Sequence, residues 1–368
     1  MKTVHLVIPD LFLPKDFAAE VSAGLSLPVL QKLLGRGHGE MLEPVPLEDL
    51  LCDLFGVPCQ NDAPVAPISA AFDGLAAGCW LRADPVNLNL QRDQLLLAAV
   101  RAGSEEAAAL CVSLNAHFAG QGMEFFAPHP QRWYVRLDRL PLMRTTPLSQ
   151  VIGGDVRKVL PTGKDAAHWH QVFNEIQMLL HSHPLNEVRE ARGEPPINSA
   201  WFWGGGCDTL LAKPADCGNS RQAAPDAPEE DDVASCGDGC GENTTLKKNY
   251  GNLSSDDVLA EMFAEAAGVP FSAWPEQWHY EGHDKQLLVW TGLRSALQRG
   301  DLAGWRTALQ DFEDGYARPI WHALRSGKVA QLQLDILGVD GMRRVRLTRG
   351  DAWAFWRRAK RLAEYSMV

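Results

Sequence analysis

Apolar and polar positions along the chain sort into short β-like runs and longer stretches of helical period. Residues 2–8 are rich in Val, Leu and Ile and end in Pro9 and Asp10, which predicts a buried first strand. Residues 28–34 predict a helix, with Pro28 at a starting position and Gly35 and Gly37 stopping it. Further strands are expected over 79–82 and 94–100, with DPVNLNLQRD between them. Residues 105–119 predict a helix, and 133–135 predict a strand after the Pro128–Pro130 turn. Residues 166–180 place Val172, Ile176, Leu179 and Leu180 at helical spacing. The apolar run 200–203 is a strand candidate closed by Gly204, Gly205 and Gly206, which form either a tight turn or a close backbone approach to a phosphate.

From about 213 to 252 the chain is rich in Asp, Glu, Gly, Pro, Asn and Ser and nearly lacks large apolar side chains. Such a stretch cannot bury a core of its own. It divides the chain into three parts: 1–212, the N-terminal part of the core with a cap subregion; 213–252, an acidic insertion or linker; and 253–368, the C-terminal part of the core. Beyond the insertion, the SSDD run at 254–257 suits a helix start, and a helix follows over 258–267. A strand is expected over 287–290 and a helix over 302–324, interrupted near Pro319. Runs 332–337 and 343–347 pair as a hairpin across the Gly338–Gly341 turn. Residues 351–362 predict a terminal amphipathic helix. Strands alternating with helices imply an α/β fold, a mostly parallel central sheet with helices on both faces.

Charge narrows the partners. The chain has 368 residues and a formal charge of −11, so the basic surface that marks nucleic-acid binding is absent overall. Arg343, Arg344, Arg346 and Arg349, then Arg357, Arg358, Lys360 and Arg361, are local basic clusters. They suit either a solvated face or an oxyanion. No stretch approaches the ~20 apolar residues that span a bilayer, and the opening residues read as a strand, not a secretory leader. The expectation is a cytoplasmic protein with no membrane or nucleic-acid partner. Its eight cysteines are then expected to be reduced.

Four segments carry a resemblance. They are the first strand with Asp10, the LPVLQKLLGRGHGEM stretch at 27–41, the PVPLEDLLCDLFGVP stretch at 44–58, and LLHSHPLNEVREARGEPPINSAWFWGGG at 179–206. Together they resemble the archaeal-type, cofactor-independent phosphoglycerate mutases of the alkaline phosphatase superfamily. WLRADPVNLNLQRDQLLL, the HPLN–NSAWFWGGG run and WAFWRRAKRL resemble a bacterial group of RpfE-type regulatory proteins over nearly the whole chain. The resemblance implies an alkaline-phosphatase-like fold and places Asp10 at a metal-ligand position, although Leu11 stands where the family has glycine. It puts Glu48 where the family has its nucleophilic serine. It also implies a ligand-binding set of Arg82, His183, Asn186, Arg189 and Asn198, and a small phosphorylated metabolite as ligand.

Neither late metal motif of the family, aspartate–x–x–glycine–histidine or aspartate–histidine, has a clear copy after Gly206. The nearest substitute is HYEGHD, whose His279, His283 and Asp284 would join Asp10 as metal ligands. Cys207, Cys217, Cys236 and Cys240 are an alternative zinc set. The resulting expectation is a catalytically degenerate, ligand-binding or regulatory relative that needs no cofactor. The alternative is an active phosphoryl-transfer enzyme, a mutase or phosphatase, with rearranged ligands for manganese, magnesium or zinc.

Overall fold

The computed structural model describes residues 2–59, 62–207 and 246–365. Before residue 208 the strands are β1 (Thr3–Pro9), β2 (His38–Leu42), β3 (Cys79–Gln91), β4 (Gln94–Ala99), β5 (Met123–His129), β6 (Arg132–Leu137), β7 (Met143–Arg144), β8 (Thr162–Gly163) and β9 (Ser199–Cys207). After residue 245 come β10 (Asn252–Ser255), β11 (Phe271–Ala273), β12 (Lys285–Val289), β13 (Gln331–Gly338) and β14 (Gly341–Thr348).

The main sheet has seven strands in the order β11-β10-β12-β1-β13-β14-β2. The four pairings from β11 to β13 are parallel, and β13–β14 and β14–β2 are antiparallel. The sheet is therefore mixed, which qualifies the mostly parallel expectation. The reason is local: Gly338 and Gly341 close a tight hairpin, and a hairpin can only return antiparallel.

Period-two alternation on β1 sends Val4, Leu6 and Ile8 into one core and Val7 into another. The first core takes up the apolar stripe of helix Pro28–Arg36 and the long helical stretch from Leu302 to Ser326. The second takes helices Leu47–Phe55 and Val258–Ala267. Both faces of the sheet are thus covered by helices, as α/β architecture requires. The stretch 302–326 passes Pro319 through a π-turn at Glu313–Ala317, which absorbs the hydrogen bond that proline cannot make.

A second sheet, wholly antiparallel, is built on β3. On one side β3 pairs with β9. On the other it pairs with β6 over 79–82 and with β4 over 86–91. The DPVNLNLQ stretch expected as a connection is thus strand. Pro85 falls between the two partners, so its missing N–H costs no ladder bond on that side. Helices Ser104–His117 and Ala166–His181 cover this sheet with a core that includes Leu110, Leu114, Trp169 and Ile176.

Two further expectations change. The terminal helix ends at Ala352, and 353–361 run without regular structure. Gly35 admits this segment: a Cβ there would stand 2.9 Å from both Ala359 Cα and the Arg358 carbonyl. Gly204–Gly206 neither turn the chain nor end the strand, because β9 runs on to Cys207. They give helix Val65–Phe72 its seat, since a Cβ on Gly206 would meet Pro64 Cβ at 2.6 Å.

Candidate functional site

Functional groups in open α/β sheets gather past the carboxyl ends of parallel strands. Here β1, β10 and β12 deliver Asp10, Asp256 with Asp257, and Arg294 to that end. Asp10 has a left-handed backbone, φ 61°, which Asp tolerates better than most residues. Its N–H donates to the Leu337 carbonyl at 3.0 Å. This fixes the carboxylate, which accepts from Arg294 Nε at 3.0 Å.

Glu48 enters from the first turn of helix Leu47–Phe55 and is 3% exposed. Ser149 Oγ donates to its Oε1 at 2.7 Å, while its buried Oε2 has no hydrogen-bond partner among the described residues. Burial pushes the Glu48 carboxyl above its ordinary range; Arg294 pulls it down and Asp257 pushes it further up. Burial alone would lower the Arg294 guanidinium, but Asp10, Glu48 and Asp257 outweigh that and raise it. Asp256 accepts from the Thr291 N–H at 2.7 Å, and burial raises its carboxyl. Asp257 caps helix Val258–Ala267 by accepting from Leu259 N–H at 2.8 Å. A single guanidinium therefore faces several acidic groups. Arg294 and the Asp256–Asp257 pair went unread as site residues in the sequence. The available signal was their position just after apolar strand runs.

The geometry argues against a divalent ion here. A cation would have to sit beside a guanidinium already ion-paired with Asp10, and like charges repel strongly where burial weakens solvent screening. Among the described residues, no group of three or more His, Cys, Asp or Glu is placed to hold a metal.

The other expected metal ligands lie elsewhere. His279, His283 and Asp284 precede β12, and the Thr3 N–H donates to the Asp284 carbonyl at 2.7 Å. Because β1 and β12 run parallel, these residues sit at the end of the sheet opposite Asp10, roughly 20 Å away at the rise of a strand. One ion cannot bind all four. HYEGHD is also not an extended strand; His279 contacts the Gln277 carbonyl at 3.0 Å and His283 lies 3.7 Å from Glu281. Cys207 forms a disulfide with Cys79 across β9 and β3, which removes it from the zinc set and corrects the expectation of reduced cysteines. Cys217, Cys236 and Cys240 lie outside the described residues. Cys52, Cys59 and Cys111 are free.

The expected ligand-binding set is spent on the fold. Asn186 is buried, donates to the Leu180 and Ile197 carbonyls at 2.7 and 2.9 Å, and accepts from Ile197 N–H at 2.8 Å. Arg189, 2% exposed, donates to the Pro195 and Arg101 carbonyls at 3.0 and 3.1 Å and pairs with Glu106. Asn198 bonds both backbone groups of Leu88. His183 caps helix Pro184–Ala191 and contacts Ser113 Oγ at 3.0 Å. Arg82 pairs with Asp84 at 2.6 Å within β3. The long HPLN…N run thus acts as a hydrogen-bonded staple that aligns β9 on β3.

A cavity of about 270 Å³ is lined by Asp49, next to Glu48 in helix Leu47–Phe55. Arg144, Lys158, Asp62, Thr145 and Gly204 also line it. Asp62 accepts from the Thr145 N–H at 3.0 Å, and Thr145 Oγ1 accepts from the Gly204 N–H at 3.2 Å. Burial raises both the Asp49 and Asp62 carboxyls. The chemistry on offer is two cations, two acids whose carboxyls burial raises, and hydroxyls, which suits a small anionic, hydroxylated molecule.

No protein-family model matches the chain. Over 145 residues it is 29% identical to the 2,3-bisphosphoglycerate-independent phosphoglycerate mutase of Methanosarcina mazei and 28% identical to that of Methanosarcina barkeri. Over 148 residues it is 28% identical to a probable enzyme of that description from Geobacter sulfurreducens. Each match covers 38% of this chain and 36–37% of the relative, so the chain spans little more than a third of the length of the curated relatives it matches. Among solved structures, the PH0037 protein from Pyrococcus horikoshii shares the fold at a TM-score of 0.52 and 13% identity, over 98% of this chain and 91% of that one. A cofactor-independent phosphoglycerate mutase from Thermoplasma acidophilum aligns over 100% of this chain and 96% of its own at a TM-score of 0.45 and 12% identity.

Proposed function

We propose that this protein is a catalytically degenerate relative of the cofactor-independent phosphoglycerate mutases, with an alkaline-phosphatase-like fold. In this reading it is a regulatory protein of the RpfE type that binds a small phosphorylated metabolite without converting it. The observation that carries the reading is the Arg294 guanidinium, ion-paired with Asp10 and within the electrostatic reach of Glu48. Asp10 stands at the resemblance's metal-ligand position and Glu48 at its nucleophile position. A guanidinium can balance the charge of these acids, but it cannot activate a hydroxyl or polarise a phosphoryl oxygen as a bound metal does. Glu48 is no substitute for the serine either, since burial raises its carboxyl and a carboxylate cannot follow the serine hydroxyl's route.

Binding is assigned to the cavity beside Asp49, where Arg144 and Lys158 supply positive charge. The test is an enzyme-coupled mutase assay with manganese present, run beside calorimetric titration of phosphoglycerates and sugar phosphates. The reading expects binding of at least one compound and turnover no higher than a mock purification. Turnover that follows the protein through purification would make it an active metal-dependent enzyme. Absence of any binding would remove the ligand half of the reading.

A further inference from the structure

The segment 353–361 exposes three large aromatic side chains within four residues: Trp353 is 53% exposed, Phe355 80% and Trp356 70%. Exposed aromatic surface of this kind, with Phe355 and Trp356 in ring contact, is costly in water and marks an interaction surface. Basic residues frame it. Arg358, Lys360 and Arg361 are exposed and make no ion pair among the described residues. Arg325 lies over the Trp353 ring at 4.3 Å, and Arg349 donates to the Arg325 carbonyl. Of the nearby acids, Asp351 is already paired with Arg357 and bonded to Thr348, and the exposed Glu364 accepts from the Arg361 N–H at 2.9 Å, leaving the basic groups in excess. The segment is pinned from below. Arg36 Nη1 donates to the Ala352 carbonyl at 2.8 Å, and Arg357 Nη1 donates to the Arg36 carbonyl at 2.6 Å. Ala354, Leu362 and Tyr365 are buried beneath it. The aromatics thus protrude from a fixed base.

We infer that this patch docks the protein on an anionic phospholipid surface. Indole and phenyl rings prefer the headgroup boundary, and clustered Arg and Lys add attraction to anionic lipid. The chain as a whole is acidic, with a net formal charge of −11 that includes these basic residues, so an anionic surface would repel the body and attract this face, orienting the molecule. The rings are ill arranged for stacking nucleobases. Phe355 and Trp356 meet edge to face at 78°, and the guanidinium of Arg325 covers the Trp353 ring. No helix among the described residues is long and apolar enough to cross a membrane, so the attachment is peripheral.

The test is co-sedimentation of the full chain with phosphatidylcholine vesicles, with and without 30 mol% phosphatidylserine, at low and high salt. Wild type is expected to sediment with the anionic vesicles and to be released by salt. The triple variant Trp353→Ser, Phe355→Ser, Trp356→Ser and the charge variant Arg358→Glu, Lys360→Glu, Arg361→Glu should each bind roughly tenfold less or weaker still. The charge variant changes only exposed polar groups, so it keeps the test valid if the aromatic variant misfolds. Wild type that stays in the supernatant with anionic vesicles overturns the inference, as does binding that both variants retain. Self-association in sedimentation velocity that the aromatic variant abolishes, with no vesicle binding, would assign the patch to a second copy instead and likewise overturn it.

Discussion

The Arg294 guanidinium donates to the Asp10 carboxylate at 3.0 Å across 284 residues of sequence. The pair ties the end of β1 to the helix that follows β12, two strands that are neighbours in the sheet. It also brings a positive charge to Glu48, whose buried Oε2 lacks a hydrogen-bond partner among the described residues. The contact therefore acts on both the fold and the chemistry of the strand ends.

Glu48 gives a pH-dependent prediction. Burial, opposed by Arg294, leaves its folded pKa above the ordinary 4.5. The folded state then holds this proton more tightly than the unfolded chain does. The associated stability is full below the unfolded value and lost as pH rises through the folded one. Glu48→Gln keeps an acceptor for Ser149 and cannot ionise. It should be more stable than wild type at pH 8, with the advantage shrinking toward pH 4.5. Urea unfolding at the two pH values checks this, and a difference that does not change with pH would contradict it.

Arg189 should behave as a structural residue. Replacement by Ala leaves the Arg101 and Pro195 carbonyls and Glu106 without their donor, at a cost of about 3 kcal/mol in chemical denaturation. Phosphoglycerate affinity measured on the folded fraction should not change. A large loss of affinity with little loss of stability would return Arg189 to a ligand site.

The glycine run gives a packing test. Gly206→Ala drives a Cβ to 2.6 Å from Pro64 and 2.9 Å from Pro67. Helix Val65–Phe72 must shift, and overpacking of this kind costs about 1–3 kcal/mol. Thermal unfolding should show a lower Tm; an unchanged Tm would mean that the helix has room the structure does not show.

These cases show what the sequence disclosed. The strand into Asp10, the hairpin at Gly338–Gly341 and the helices at 104–117 and 166–181 were legible because each is set by local periodicity and its own stop signals. The continuation of β3 beyond Arg82 was not, because Pro85 reads as a breaker until its place between two partners is known. The HPLN run was read as a ligand motif, yet Asn and Arg beside prolines serve equally to hold backbone carbonyls, and only tertiary contacts separate the two uses. Asp10 and Glu48 were singled out by resemblance. Arg294 carried no motif, since its meaning comes from a partner 284 residues away.

The cavity gives a prediction on ligand binding. Arg144→Ala should weaken phosphoglycerate binding about tenfold, roughly 1.4 kcal/mol. Burial raises the carboxyls of Asp49 and Asp62, so lowering the pH protonates them and removes negative charge from the lining. A non-titrating sulfonate analogue should then bind more tightly at pH 5.5 than at pH 7.5. Calorimetry showing equal or weaker binding at pH 5.5 would count against this site.

The central claim, that a guanidinium takes the place of a metal beside Asp10, is tested most directly by manganese titration of the chelator-treated protein, followed by electron paramagnetic resonance. Wild type should show no site that Asp10→Asn removes. Arg294→Ala, which frees Asp10 from its partner and leaves Glu48 without its nearby positive charge, should gain weak manganese binding that a second Asp10→Asn change abolishes. Stoichiometric manganese binding by wild type that is lost in Asp10→Asn would contradict the account.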